Sequence, residues 1–215
     1  MIPLQNYHIR PLNPRRKEAI EHFAGESVLD VGCGNGSYVL HFAKVKDMSG
    51  IDLKSSPSWQ AQPDLFSIHG AHLDDYPSDS LDTITAFELL EHVSNPAAVL
   101  KEFNRVARSN IIITVPNCDQ TPGMKLSGIV YNHYIDSSHI NFWNLESIID
   151  LLNSSGFEIQ CAELINCINL EPLIAEAMNN SKITNKFLSK FFTKLIKRDY
   201  PATILIVANC IKKQK

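Results

Sequence analysis

Val28-Leu29-Asp30-Val31-Gly32-Cys33-Gly34-Asn35-Gly36 is the stretch that decides the fold. Apolar residues around an aspartate read as a short buried strand. Three glycines at alternate positions follow at once, and Tyr38, Val39, Phe42 and Ala43 then carry helical spacing. Strand, glycine turn and helix are how an α/β sheet holds a nucleotide-like ligand at the C-terminal end of a strand. Without a Cβ, the glycines let the backbone turn sharply and approach that ligand closely.

Three details favour a methyl-donor site over a dinucleotide site, although the last of them, an acid that can accept ribose hydroxyls, suits either ligand. The spacing is Gly-x-Gly-x-Gly, whereas a dinucleotide fingerprint would put its last glycine at 37, which is Ser37. Asp30 sits inside the strand just before the turn. Asp52 ends the next apolar run, Met48-Ser49-Gly50-Ile51-Asp52, where a carboxylate can accept both ribose hydroxyls. On these residues the chain resembles the class I S-adenosylmethionine-dependent methyltransferases, from about Asn13 to about Glu158. The resemblance implies a Rossmann-like, doubly wound α/β sheet of seven strands with the last antiparallel. It also implies S-adenosylmethionine as methyl donor, bound by Asp30, Gly32, Gly34, Gly36, Asp52 and Leu53. After the third strand the family usually has Gly-Asp-Ala. Here the chain reads Gly70-Ala71-His72-Leu73, so His72 or a backbone group is expected to face the adenine.

Composition narrows the class. The chain has 215 residues, 44% hydrophobic and 20% charged, as in one globular domain with a full core. We read 1–215 as a single domain with an N-terminal helical segment (1–25), a substrate loop (117–143) and a helical insertion before the last strand (166–200). A net charge of −3 gives no global attraction to nucleic acid; DNA is not expected as a partner, and the charge weighs against RNA. The five cysteines are scattered without CxxC spacing, as in reduced thiols of a cytoplasmic protein. MIPLQNYHIRPLNPRR lacks the apolar core of a signal peptide, and no apolar run reaches 18 residues.

Periodicity places the remaining elements. Asn13-Pro14 reads as a cap and first-turn proline for a helix over 15–23. Strands are expected at 27–31, 48–52, 65–69, 82–87, 111–115, 157–164 and 203–211. Helices are expected from the glycine turn to about 46, over 96–107 and over 145–155. Residues 54–64, with two prolines and three serines, read as a loop in place of a helix.

Phe87-Glu88-Leu89-Leu90-Glu91-His92-Val93-Ser94-Asn95-Pro96 looks like the family's Glu-x-x-Glu-His-Val-x-x-Pro element. Pro11-Leu12-Asn13-Pro14-Arg15-Arg16 resembles the Asn-Pro-x-Arg start of the ubiquinone-biosynthesis O-methyltransferases. That resemblance implies donor contacts from Arg16 and Phe87. Glu88, Glu91 and His92, at i, i+3 and i+4, share one face of a helix or tight turn and suit a divalent cation such as magnesium. The resemblance implies a metal there too, with His139 as a downstream ligand. The other reading gives Glu88 to the donor's amine and leaves Glu91 and His92 to capping and packing. His139 without a metal can serve as a general base, so His139 and Glu91 are the candidate catalytic residues.

Lys182, Lys186, Lys190 and Lys194 repeat every four residues beside Phe187, Phe191 and Leu195. This basic amphipathic pattern over 182–198 fits either a peripheral membrane contact or a helix packed on the sheet with its lysines in solvent. The resulting expectation is methyl transfer to a hydroxyl of a small-molecule acceptor, a quinone precursor, sugar or similar metabolite. The alternatives are RNA-terminal 2′-O-methylation and a donor-binding partner protein without catalysis. Oligomeric state stays open.

Overall fold

Alternation along the strands divides the interior into two cores. In β1 (Ser27–Val31), Leu29 and Val31 face one side and Val28 the other. The computed structural model describes residues 11–119, 132–167 and 201–212. The other strands are β2 (Asp47–Asp52), β3 (Phe66–Ile68), β4 (Leu81–Phe87), β5 (Ala107–Pro116), β6 (Phe157–Cys167) and β7 (Pro201–Cys210). They form one sheet in the order β3-β2-β1-β4-β5-β7-β6. The first five run parallel, and β7 is antiparallel to both β5 and β6.

On one face, Ile51, Ile84, Ile111, Ile113, Ile204 and Ile206 pack against two helices. These are α3 (Pro96–Val106), through Val99, Leu100 and Phe103, and α4 (Leu145–Ser154), through Ile148 and Leu152. On the other, Met48, Ile112, Leu205 and Val207 meet Ala19 and Ile20 of α1 (Pro14–Phe23) and Val39 and Phe42 of α2 (Ser37–Phe42). Each fully buried side chain of this size contributes about 1.5–3 kcal/mol. Helices on both faces make the sheet doubly wound, as expected. The chain order reverses between β1 and β4, which opens a crevice at their C-terminal ends.

Several boundaries differ from expectation for local reasons. α2 stops at Phe42 rather than near Lys46; a turn follows, and the Lys46 Nζ donates to the carbonyls of Ala24 and Gly25 at 2.8 and 3.0 Å. β5 begins at Ala107, directly after α3, rather than at Ile111; an irregularity in its register with β4 between Leu81 and Thr83 takes up one extra residue. β6 continues to Cys167, so Asn166 and Cys167 are strand rather than the start of a helical insertion. Residues 54–65 hold two 3-10 turns, Pro57–Ala61 and Pro63–Leu65, each opened by a proline.

The basic stretch 182–198, most of the expected insertion, residues 120–131 of the substrate loop and residues 1–10 lie outside the described residues. Among the described residues, no helix is long and apolar enough to cross a membrane.

Candidate active site

All three turn glycines adopt left-handed backbone, with φ of 74° at Gly32, 55° at Gly34 and 70° at Gly36. Their surroundings differ. A Cβ on Gly36 would lie 2.4 Å from Cε1 of Phe66, whereas a Cβ on Gly34 would meet nothing within 4 Å. Gly36 is therefore fixed by packing, and Gly34 faces an open cradle. Asp52 Oδ2 accepts the Gly34 N–H at 2.9 Å, and its Oδ1 accepts the Lys54 N–H at 3.1 Å. A carboxylate offers about four acceptor positions, so hydroxyl donors can still be accommodated. Asp30, 2% exposed, accepts the Thr85 hydroxyl at 2.7 Å beneath the loop. Burial pushes its carboxyl up to about 7, against the opposing pull of Thr85 and Arg16.

Two cavities meet at Gly32. The first, of about 450 Å³, is walled by Arg16, Asp30, Gly34, Tyr38 and Phe87. The second, of about 310 Å³, is walled by Asp52, Leu53, Gly70, Ala71, His72 and Leu89. Asn13 caps α1 by accepting the N–H groups of Arg15 and Arg16, with Pro14 next to it, and so aims Arg16 at the first cavity. There the Arg16 guanidinium pairs with Glu88 and lies 5.2 Å from the centre of the Phe87 ring. Tyr38 packs against Phe87 at a tilt, 4.9 Å between ring centres. Glu88 takes a φ of 54°, uncommon for a side chain this large, and Thr114 holds it there twice. The Thr114 carbonyl accepts the Glu88 N–H at 2.9 Å, and the Thr114 hydroxyl donates to Glu88 Oε1 at 3.0 Å.

Glu91 is fully buried, and neither of its carboxylate oxygens has a hydrogen-bond partner. Burial first, then the negative charge of Glu88, holds its carboxyl well above the usual range. His92 and His139 stand beside it, their rings 4.7 Å apart. His139 arrives from 48 residues beyond Glu91 because the Glu91 carbonyl accepts the N–H groups of Ile140 and Asn141 at 2.9 and 3.1 Å. The Asn141 side chain completes the join by donating to the carbonyls of Leu90 and Val93.

Nδ1 of His92 faces the Ser138 carbonyl at 3.1 Å, and Nδ1 of His139 faces that of His133 at 3.1 Å. A carbonyl can only accept, so each Nδ1 carries a proton, which leaves Nε2 as the ligating atom of a neutral ring. Nε2 of His92 faces Glu91 Oε1 at 4.0 Å and that of His139 faces Asp136 Oδ2 at 3.7 Å. One ligand atom from each of Glu91, His92 and His139 lies within 4.8 Å of the others. A buried unpaired carboxylate beside two imidazoles fixed in the ligating tautomer is a donor set that fits a divalent cation.

Of the four residues the sequence proposes for a metal, the structure brings these three together and turns Glu88 toward Arg16. The proposed donor residues line the two cavities, apart from Gly36, which packs behind the loop. Leu53 (74% exposed) and the exposed His72 form the outer rim. Sequence reading missed the positioning residues Thr85, Thr114 and Asn141. No local motif marks them, since each acts on a residue more than 25 positions away.

A family model described as a methyltransferase domain matches residues 5–162. The chain belongs to the methyltransferase domain family. Its sheet order and glycine turn make it a class I S-adenosylmethionine methyltransferase. The chain is similar to the ubiquinone biosynthesis O-methyltransferase of Nitrosococcus oceani, at 26% identity over 69% of this chain and 75% of that one. It is also similar to those of Albidiferax ferrireducens and Hahella chejuensis, each at 30% identity over 59% of this chain. The match spans only 56% and 59% of those two relatives' own lengths. Among solved structures, a SAM-dependent methyltransferase from Archaeoglobus fulgidus superposes with a TM-score of 0.66, 19% identity and 91% coverage of both chains. The [4+2]-cyclase SpnF superposes with a TM-score of 0.62 at 20% identity, over 93% of this chain and 81% of that one. The methyltransferase fold thus also carries other chemistry, and the reaction must be argued from the site.

Proposed function

We propose that this methyltransferase transfers the methyl group of S-adenosylmethionine to a hydroxyl of a small molecule of the quinone-precursor or sugar type, with a divalent cation held by Glu91, His92 and His139. The observation that carries this reading is the buried Glu91 carboxylate, without a hydrogen bond and grouped with His92 and His139 so that one ligand atom of each lies within 4.8 Å of the others. The names of the relatives support a hydroxyl acceptor.

The donor's sulfonium supplies an already activated methyl group, so the protein's work is alignment and exclusion of water. Arg16 and Glu88 offer a positive and a negative partner for the two charges of the donor's amino-acid end. Gly34 leaves room for its backbone, Asp52 accepts its ribose hydroxyls, and Leu53 and His72 wall its base. Phe87 and Tyr38 close the methionyl side, and Asp30 braces the loop from below. A cation at Glu91, His92 and His139 would lower the pKa of the acceptor hydroxyl. Without one, His139 Nε2 is positioned to take that proton.

The test uses methyl-labelled S-adenosylmethionine, chelator-stripped protein and a cell extract, with and without magnesium, split into organic, polar-metabolite and RNA fractions. Magnesium-dependent label in the organic or polar fraction is the expected result. Label that ignores stripping removes the cation from the reading. Label in RNA replaces the acceptor with a ribose terminus. Label nowhere leaves a donor-binding partner protein.

A further inference from the structure

The segment between β2 and β3 does work on the glycine loop that its irregular sequence hides. The indole N–H of Trp59 donates to the carbonyl of Gly34 at 3.0 Å, and the Ser58 hydroxyl donates to the carbonyl of Asn35 at 2.6 Å. The Trp59 ring is stacked on Phe66, 4.9 Å between centres and 8° from parallel, and the Phe66 ring occupies the space a Cβ on Gly36 would need. Trp59 is only 6% exposed.

Gly34 is thus held from both ends: Asp52 takes its N–H and Trp59 takes its carbonyl. A glycine at positive φ with nothing around its missing Cβ has wide freedom in a free peptide. Two directional bonds on that one residue fix both adjoining peptide planes and turn the Gly34 and Asn35 carbonyls toward the 56–59 turn. Ser56, which lines the first cavity, is within hydrogen-bond distance of Ser58, 2.9 Å between hydroxyl oxygens, so the clamp reaches the cleft wall.

We propose that Trp59, seconded by Ser58, is a positioning residue for the methyl donor: it holds the glycine loop in its binding shape before the donor arrives. A loop ordered in advance does not lose that conformational freedom on binding, so the effect falls on donor affinity. The inference rests on the donor site proposed above.

The experiment measures the affinity of the full chain for S-adenosylmethionine and S-adenosylhomocysteine by calorimetry, alongside thermal unfolding without ligand. Trp59→Phe keeps the stack on Phe66 and removes the N–H. Donor affinity is expected to fall about tenfold, the scale of one lost buried hydrogen bond. Ser58→Ala, a half-buried change that spares the core, is expected to cost about threefold. Unchanged affinity in both variants, with only the unfolding midpoint lowered, overturns the proposal and leaves Trp59 a packing residue. Wild-type protein that binds neither ligand overturns the donor site itself, an outcome distinct from variants that bind as well as wild type.

Discussion

Around the glycine loop, the features that face a ligand are backbone, and the backbone is largely satisfied. Gly34 and Asn35 are bonded by Asp52, Trp59 and Ser58, and the shape follows from where side chains are missing. Around Glu91 the features are side chains, and the central carboxylate is unsatisfied in a fully buried position. The first region is stable because its polar groups are met. The second keeps that carboxylate in place through the bonds of Ile140 and Asn141 to the backbone of Leu90, Glu91 and Val93. Pre-formed shape suits a ligand of fixed structure, and an unmet electrostatic demand suits a cation.

The largest effect expected from this contrast is at Glu91. Glu91→Met should lower methyl transfer by about a hundredfold or more. Affinity for S-adenosylmethionine should fall far less, because Glu91 itself lines neither of the two donor cavities. The same change should raise the stability of the unliganded protein by about 1 kcal/mol, since a buried carboxyl without a hydrogen bond is replaced by an apolar side chain. Calorimetry and denaturant unfolding read both quantities. A less stable variant would show that Glu91 has a partner in the folded protein and would erase the difference between the two regions.

The glycines give the next effects, and they should split. Gly36→Ala places a methyl group 2.4 Å from the Phe66 ring at a φ of 70° and should cost about 2–4 kcal/mol of stability. Gly34→Ala meets no neighbour and should cost only about 1 kcal/mol of stability. Its methyl group fills the cradle, so donor affinity should fall tenfold or more. Equal stability losses at both positions would mean that the loop is not held as the structure shows.

What could be read in advance follows the same division. Gly32, Gly34, Gly36 and Asp52 were legible because one short stretch must turn sharply and the next strand must end on an acid. The β5 strand was legible from Ile111 to Val115 because both its faces are buried, yet its start at Ala107 depends on a register irregularity with β4 that no local pattern records. Glu91 and His92 are neighbours in sequence, but whether His139 joins them depends on Ile140 and Asn141 bonding the Glu91 carbonyl across a gap of about 50 residues. Trp59 read as part of a proline-broken loop because its role lies in one side-chain bond to a distant carbonyl.

Asp30 adds a dependence on pH. Its folded pKa, pushed up to about 7, exceeds the usual carboxylate value near 4. The folded state therefore binds the proton more tightly than the unfolded state. The Asp30 contribution is most favourable below about pH 4, declines as pH rises toward about 7, and is level above that. Between pH 5 and pH 8 the unliganded protein should lose on the order of 2 kcal/mol that Asp30→Asn does not lose, as read from paired unfolding curves. Parallel curves for the two proteins would place Asp30 in a wetter setting than its 2% exposure indicates.

His72 should give the smallest effect, and its size distinguishes two ways of holding the base. The family's acid is missing at Ala71, and the next residue, His72, is an exposed imidazole on the rim of the second cavity. A polar contact from an exposed side chain contributes little binding energy. His72→Ala should therefore weaken S-adenosylmethionine by about two- to threefold, the range of a solvent-exposed polar contact. A tenfold loss would instead require a direct hydrogen bond from His72 to the adenine, making this end of the site depend on a side chain as the Glu91 end does. No loss would assign the base to the backbone at Gly70 and Ala71, extending the backbone logic of the glycine loop across the whole donor cleft.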